Sequence, residues 1–198
     1  MERNIHKKLK KFNRYKKQLS AKEAEIAEKL YIQLIKTEKV SKEDETHCYN
    51  RIFPMIAVYK SLNAKDEDKL DKAKLIFWQA DVYPRLNISR KVFKLPFVNK
   101  LIPRLANKVT KAQYPEGKGG FQMEFLETSK RVFRFNIKQC TYFNYCKKHG
   151  VPELCTIFCD TDDLTAAAMK PNIVFQRENT IAKGGQVCDF CYRISEDK

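Results

Sequence analysis

A chain of 198 residues that is 43% hydrophobic and 12% aromatic has enough apolar surface to offset the entropy of ordering one good-sized core, which excludes wholesale disorder. The formal charge of +15 is concentrated in two places: residues 1–40 carry twelve Lys/Arg against five Glu, and residues 82–115 carry eight Lys/Arg and no acid. Such a field attracts anions without choosing among them. No aromatic RNP pattern, zinc-finger spacing or helix-turn-helix accompanies it, so a solvated basic face is the ordinary reading and no specific nucleic-acid partner is expected. No apolar run approaches a membrane span or a signal-peptide core. Seven scattered cysteines, an odd number, read as reduced thiols, and the expected compartment is the cytoplasm.

The first half reads as helical. Ile26, Leu30 and Leu34 fall on one stripe, and Ser20 with Glu23 forms a capping-box signature that splits the segment near Leu19. Ser41-Lys42-Glu43-Asp44 opens a further helix, which Pro54 should bend or shorten. Asp66 to Val82 is amphipathic, with Leu70, Ala73, Phe77 and Ala80 sharing a face and Trp78 as a packing anchor. Bulky apolar groups then alternate with Lys/Arg around Pro84, Pro96 and Pro103. Phe97 to Val109 suits a short basic helix that caps an apolar face, and the stretch 85–111 offers peripheral contact with anionic surfaces as its functional alternative.

After Tyr114 the pattern changes. Pro115, Gly117, Gly119 and Gly120 mark 113–120 as the boundary between a basic helical region, 1–112, and a second region, 113–198. Phe121 to Phe125 and Val132 to Ile137 alternate with period two around a turn at Thr128, which is a hairpin. Cys140–Lys148 is helical with Gly150 at its left-handed end, and Pro152–Ala168 is the next helix. Asn172–Arg177 and Gln186–Ile194 are strands. The order ββααββ predicts an α+β fold: an antiparallel sheet with helices on one face, and the N-terminal helices packed on it.

On the helix 152–168, Cys155, Cys159 and Asp162 stand at i, i+4 and i+7, so two thiols and a carboxylate share one face. Cysteine is also a small core filler, and Cys155 alone reads as packing. A carboxylate on a buried face needs a partner, so Asp162 is either a site residue or the partner of a cation such as Arg177. Cys188 and Cys191 form a CxxC, but an odd offset within a strand puts them on opposite faces, which argues against a zinc site. The histidines show no ligand spacing. Neither a metal nor another cofactor is expected. Between Arg177 and Gly185 the chain leaves one strand and enters the next through two glycines, a turn that could bring Thr180 and backbone amides near an anion.

The elements Cys140-Thr141-Tyr142, Gly150-Val151-Pro152-Glu153-Leu154, Phe158-Cys159-Asp160-Thr161-Asp162, Phe175-x-Arg177, Thr180-Ile181-Ala182-x-Gly184 and Cys188-Asp189-Phe190 agree in order and spacing with one known pattern. Over about Phe121 to Tyr192 the chain resembles the L-2-amino-thiazoline-4-carboxylic acid hydrolase family. It departs from that family at Glu178-Asn179, where a threonine is expected, and in having Cys191. The resemblance implies a small-molecule hydrolase that opens a cyclic isothiourea to a carbamoyl-cysteine, acting on a small anionic sulfur-containing substrate. It implies Arg177 for the substrate carboxylate, with Thr180 and Gly184 in the binding turn. Asp162 would hold the amidine nitrogens or deprotonate water, with Asp189 second. Cys159 would be the nucleophile, with Cys188 in reserve. The alternative is a non-catalytic module of the same architecture that binds a small ligand. The oligomeric state has no signature in the sequence.

Overall fold

The computed structural model describes residues 2–63, 66–93, 105, 108–112, 114, 118–129, 131–168 and 173–195. Its first two helices, α1 (Glu2–Lys16) and α2 (Ala21–Thr37), are parted at Ser20 by the expected capping box: the Glu23 amide donates to the Ser20 hydroxyl, and the Ser20 amide donates to the Glu23 carboxylate. The buried stripe of α2 differs from the expected one. It consists of Glu23, Ala27, Tyr31 and Leu34, while Ile26 is exposed. Two contacts rotate the helix this way: Tyr31 stacks on Phe12 of α1 with ring centroids 4.5 Å apart, and its hydroxyl reaches the carbonyl of Tyr49 at 2.6 Å.

That carbonyl belongs to an irregular turn. After Asp44, α3 (Glu45–His47) passes through a π-helical turn (Cys48–Ile52) into α4 (Phe53–Ser61). The cause is Pro54. It has no N–H to give to the Asn50 carbonyl four residues back, or to the Tyr49 carbonyl five back, so both acceptors must find partners elsewhere. Asn50 O accepts from Arg14 Nη2 at 2.7 Å and from the Tyr15 hydroxyl at 2.9 Å, and Tyr49 O accepts from Tyr31. The expected disturbance at Pro54 is therefore a widened turn within a continuing helix.

The same device recurs one hairpin later. α5 (Asp66–Phe77) runs through a second π turn (Trp78–Val82) into α6 (Tyr83–Phe93), and Pro84 again stands two residues past the turn. Arg51 and Asp81 occupy equivalent places, each three residues before its proline, and they pair with Nε to Oδ2 at 3.1 Å. Asp81, only 2% exposed, also meets Arg14 and Arg85 at 2.8 Å each.

The second half follows the expected order: β1 (Gln122–Thr128), β2 (Val132–Gln139), α7 (Thr141–Lys148), a 3₁₀ turn (Pro152–Leu154), α8 (Cys155–Ala167), β3 (Ile173–Gln176) and β4 (Cys188–Ile194). The sheet is antiparallel in the order β1-β2-β4-β3, with Phe135 opposite Phe190 and Ile137 opposite Cys188. Gly150 ends α7 with φ +72°, a conformation that favours glycine. The α+β arrangement is thus the one the pattern implied.

One hydrophobic core runs from Phe12 on α1 to Phe158 on α8, so the N-terminal helices and the two C-terminal helices share it. A second cluster, around Phe133, Phe135 and Phe190, covers the inner face of the sheet. Most of the segment expected as a basic helix, Phe97 to Val109, lies outside the described residues, as do Pro96, Pro103, Pro115 and Gly117. Among the described residues no helix is long and apolar enough to cross a membrane.

Tyr31→Phe removes the hydroxyl donor that the Tyr49 carbonyl uses in place of a helix amide. It is expected to cost about 1–2 kcal/mol, seen as a lower urea midpoint at unchanged m-value.

Candidate active site

Alternation along the strands turns Ile137, Cys188, Phe190 and Tyr192 inward, and the helical period of α8 turns Cys155, Cys159 and Asp162 toward them. A cavity of about 230 Å³ lies between these faces. His47 and Arg51, from the first π turn and the helical residues before it, close it on the third side with Tyr114 and Phe121. Cys140 and Tyr142, at the junction between β2 and α7, also line it.

Arg177 follows Phe175 by two residues and therefore points to the same inner face. Its guanidinium lies 5.3 Å from the Phe190 ring and is only 5% exposed. Nη1 donates to Asp162 at 2.9 Å, while Nη2 donates to Asp163 at 2.8 Å and to the Cys159 carbonyl at 3.1 Å. The two carboxylates and the carbonyl occupy both terminal nitrogens. Asp162 faces the cavity, so 42% of its side chain is open to that space although protein surrounds it. This enclosure drives its carboxyl up to about 6, against the opposing pull of Arg177.

The second cation is held differently. Arg51 is fixed through Nε to Asp81 and through Nη1 to the Tyr142 hydroxyl at 3.3 Å, and its Nη2 has no hydrogen-bond partner among the described residues. His47 is buried among Tyr114, Phe121 and Tyr142, with Nδ1 2.9 Å from the Tyr142 hydroxyl. Burial, then the nearby Arg51 charge, lower it to about 4, so it is neutral at pH 7. Burial likewise pushes the Tyr142 phenol up to about 12, so it remains a hydroxyl that can donate to His47 and accept from Arg51.

Behind this wall Asp44 acts as a knot. Its carboxylate accepts from the Ser41 hydroxyl at 2.7 Å, the Gly120 amide at 2.6 Å and the Thr141 hydroxyl at 3.0 Å, so the start of α3, the approach to β1 and the first residue of α7 meet at one point. There is no room at Gly120 for a side chain, because a Cβ would stand 2.6 Å from Thr141 Oγ1.

Of the residues singled out from sequence, Cys159, Asp162, Cys188 and Arg177 come together on the cavity. Cys155, read as packing, is buried but also reaches the cavity wall. Burial pushes the Cys188 thiol up to about 12, and its sulfur accepts the Ile181 amide at 3.2 Å. Asp189, Thr180 and Gly184 are not among the cavity-lining residues. Asp189 sits on the outer face of β4 and accepts from the Glu178 and Asn179 amides at 3.0 and 2.7 Å, which organises the turn. Thr180 is buried outside the cavity, and Gly184 takes the left-handed conformation, φ +90°, at the end of a 3₁₀ turn. Cys188 and Cys191 lie on opposite faces of β4, as their odd offset requires. Sequence reasoning passed over His47, Arg51, Cys140 and Tyr142. Only Cys140-Thr141-Tyr142 carried a signal, as part of the family pattern.

A half-enclosed, largely aromatic cavity with one carboxyl near neutrality, an arginine edge and several thiols has the make-up of a site for a small polar molecule. The family model of L-2-amino-thiazoline-4-carboxylic acid hydrolase matches residues 20–192, and the chain belongs to that family. The match takes in the helical half from α2 onward, well beyond the region in which the motifs were recognised. Comparison with curated proteins and with solved structures finds no match.

Gly120→Ala is expected to push Thr141 off Asp44 and to lower stability by about 1–3 kcal/mol, measured as a fall in thermal midpoint. Gly150→Ala, where a Cβ would meet nothing within 4 Å, separates the effect of crowding from that of backbone strain.

Proposed function

We propose that the cavity hydrolyses a small cyclic isothiourea bearing a carboxylate, of the 2-amino-thiazoline-4-carboxylate type, to a carbamoyl-cysteine. Family membership supports the reaction class. The observation that carries the reading is the union, in one cavity of about 230 Å³, of the Asp162 carboxyl lifted to about 6 and the open edge of Arg51. The substrate is an anion at one end and an amidine at the other, and these two groups match its ends.

Arg51 takes the substrate carboxylate on Nη2, since Asp81 and Tyr142 already fix the rest of its fork. Arg177, engaged with Asp162, Asp163 and the Cys159 carbonyl, holds Asp162 in place, a different role from the carboxylate grip first expected of it. Asp162 accepts the amidine N–H groups and takes the proton of the attacking water. The aromatic walls, with Phe135 stacked on Phe190 at 4.9 Å, exclude bulk water from the ring. Addition at C2 and cleavage of the bond from C2 to the ring sulfur give the urea and a free thiol, with one water consumed.

Purified protein given 2-amino-thiazoline-4-carboxylate should release one new thiol per turnover, read with a chromogenic thiol reagent. Asp162→Asn should lower kcat at least about 10²-fold. Because the carboxylate is the working form and its pKa is raised, kcat/KM should fall as pH drops through about 6. No thiol release from any thiazoline carboxylate would refute the reading.

Arg51→Gln should raise KM about 10- to 100-fold with a smaller change in kcat, the size of a lost charged hydrogen bond. Equal loss in kcat and kcat/KM would move Arg51 from anchoring the substrate to stabilising the transition state.

A further inference from the structure

The cavity holds more thiols than hydrolysis by water alone needs, and they differ in what surrounds them. Cys140 stands at the strand-to-helix junction: β2 ends at Gln139 and α7 begins at Thr141. The first amides of a helix have no carbonyl partner within it, so those of Tyr142 and Phe143 open toward the residue ahead of them. The chain thus presents Cys140 to the cavity with free donors behind it. Asp44 fixes this end of α7 through Thr141 at 3.0 Å, and Gly120 packs against it from the other side.

The other thiols are placed less favourably. Cys159 lies inside α8, where the surrounding amides are committed to the helix, and its own carbonyl is held by Arg177. Cys188 is kept protonated by burial. Cys155 is buried, and its neighbours Cys140, Cys146 and Cys159, together with burial, push its thiol far upward.

We infer that Cys140, on the cavity wall at the N-terminal end of α7, is the nucleophile of this cavity and attacks C2 of the isothiourea. The inference rests on the hydrolase reading above for its substrate, though not for the reactivity of the thiol. The neighbouring Cys155 thiol, then the amides of Phe143 and Tyr142 at the start of α7, favour the thiolate and hold Cys140 below the usual thiol range in spite of burial and the nearby Asp162.

In the first step the Cys140 thiolate adds to C2 of the amidinium, and the bond from C2 to the ring sulfur breaks with its electron pair on that sulfur. The enzyme then carries an S-linked isothiouronium with the opened substrate attached. Asp162 takes a proton from water, and the resulting hydroxide adds to the same carbon. Collapse of that adduct expels the Cys140 thiolate, and the O–H proton passes to the product's sulfur. The product leaves as a neutral urea with a thiol, Asp162 returns its proton to solvent, and the sum is amidinium plus water to carbamoyl-cysteine plus a proton.

Two measurements on the full chain test this. Limiting iodoacetamide at pH 6.5, with peptide mass spectrometry, makes all seven thiols compete, and Cys140 should be alkylated at least about tenfold faster than Cys159. Acid quench during turnover should then show the whole substrate mass on the Cys140 peptide. Cys140→Ser and Cys140→Ala, each checked for native circular dichroism, should lose turnover on the order of 10³-fold or more. Faster alkylation of Cys159 or Cys188, an adduct on either, or a folded Cys140 variant that still turns over substrate overturns the inference and leaves the hydrolase reading standing. Absence of turnover with every thiazoline, while Cys140 is still alkylated first, removes the substrate assignment and supports the activated thiol.

Discussion

The geometry of the cavity depends on the pairing of Arg51 with Asp81, and that pairing depends on two prolines. Each proline withholds an amide from a helix it does not end, and the backbone responds by widening into a π turn. At the first turn the carbonyls released by Pro54 are taken by side chains from α1 and α2, which ties the outer helices to the inner pair. The turns also set Arg51 and Asp81 at equivalent positions facing each other. Without Asp81 the Arg51 fork would have no fixed plane. With it, two of the three guanidinium nitrogens are committed, and the third makes no hydrogen bond among the described residues.

The two arginines of the cavity show how placement separates roles for one residue type. Arg177 is nearly fully buried and saturated by Asp162, Asp163 and a carbonyl, so its charge is balanced within the protein. Arg51 shares Asp81 with Arg14 and Arg85, so three cations meet one buried anion and the local balance is positive. An anionic group arriving at Arg51 would improve that balance, whereas one arriving at Arg177 would have to displace a carboxylate.

The sequence made much of the second half legible because each element there announces itself. The period-two runs 121–125 and 132–137 became β1 and β2, Gly150 ended α7 with positive φ, and Cys155, Cys159 and Asp162 shared the inner face of α8. The helical spacing that joined them is local, and local geometry survives folding. What could not be read were contacts made across long separations. His47 meets Tyr142 across 95 residues, and Arg51 meets Tyr142 across 91. A lone histidine on a short helix gives no ligand spacing, and Arg51 looks like one more charge in a basic chain. The stripe of α2 was misplaced by one residue for a similar reason, since Ala27 and Tyr31 are chosen by α1 and by the Tyr49 carbonyl.

A pocket that only bound a small anion would have little use for Asp162 as it stands. Enclosing a carboxyl until its pKa reaches about 6 works against the charged form, and a binding module could lower that cost with a hydroxyl or an amide in its place. Arg177 offsets part of the penalty and leaves the group poised between its two states near neutral pH, where moving a proton in either direction is easiest. Cys140 carries a matching tension, because burial favours the thiol and the helix end with Cys155 favours the thiolate. The hydrolysis proposed for this cavity would use both groups, each held against its solvent preference by identifiable partners on the cavity wall.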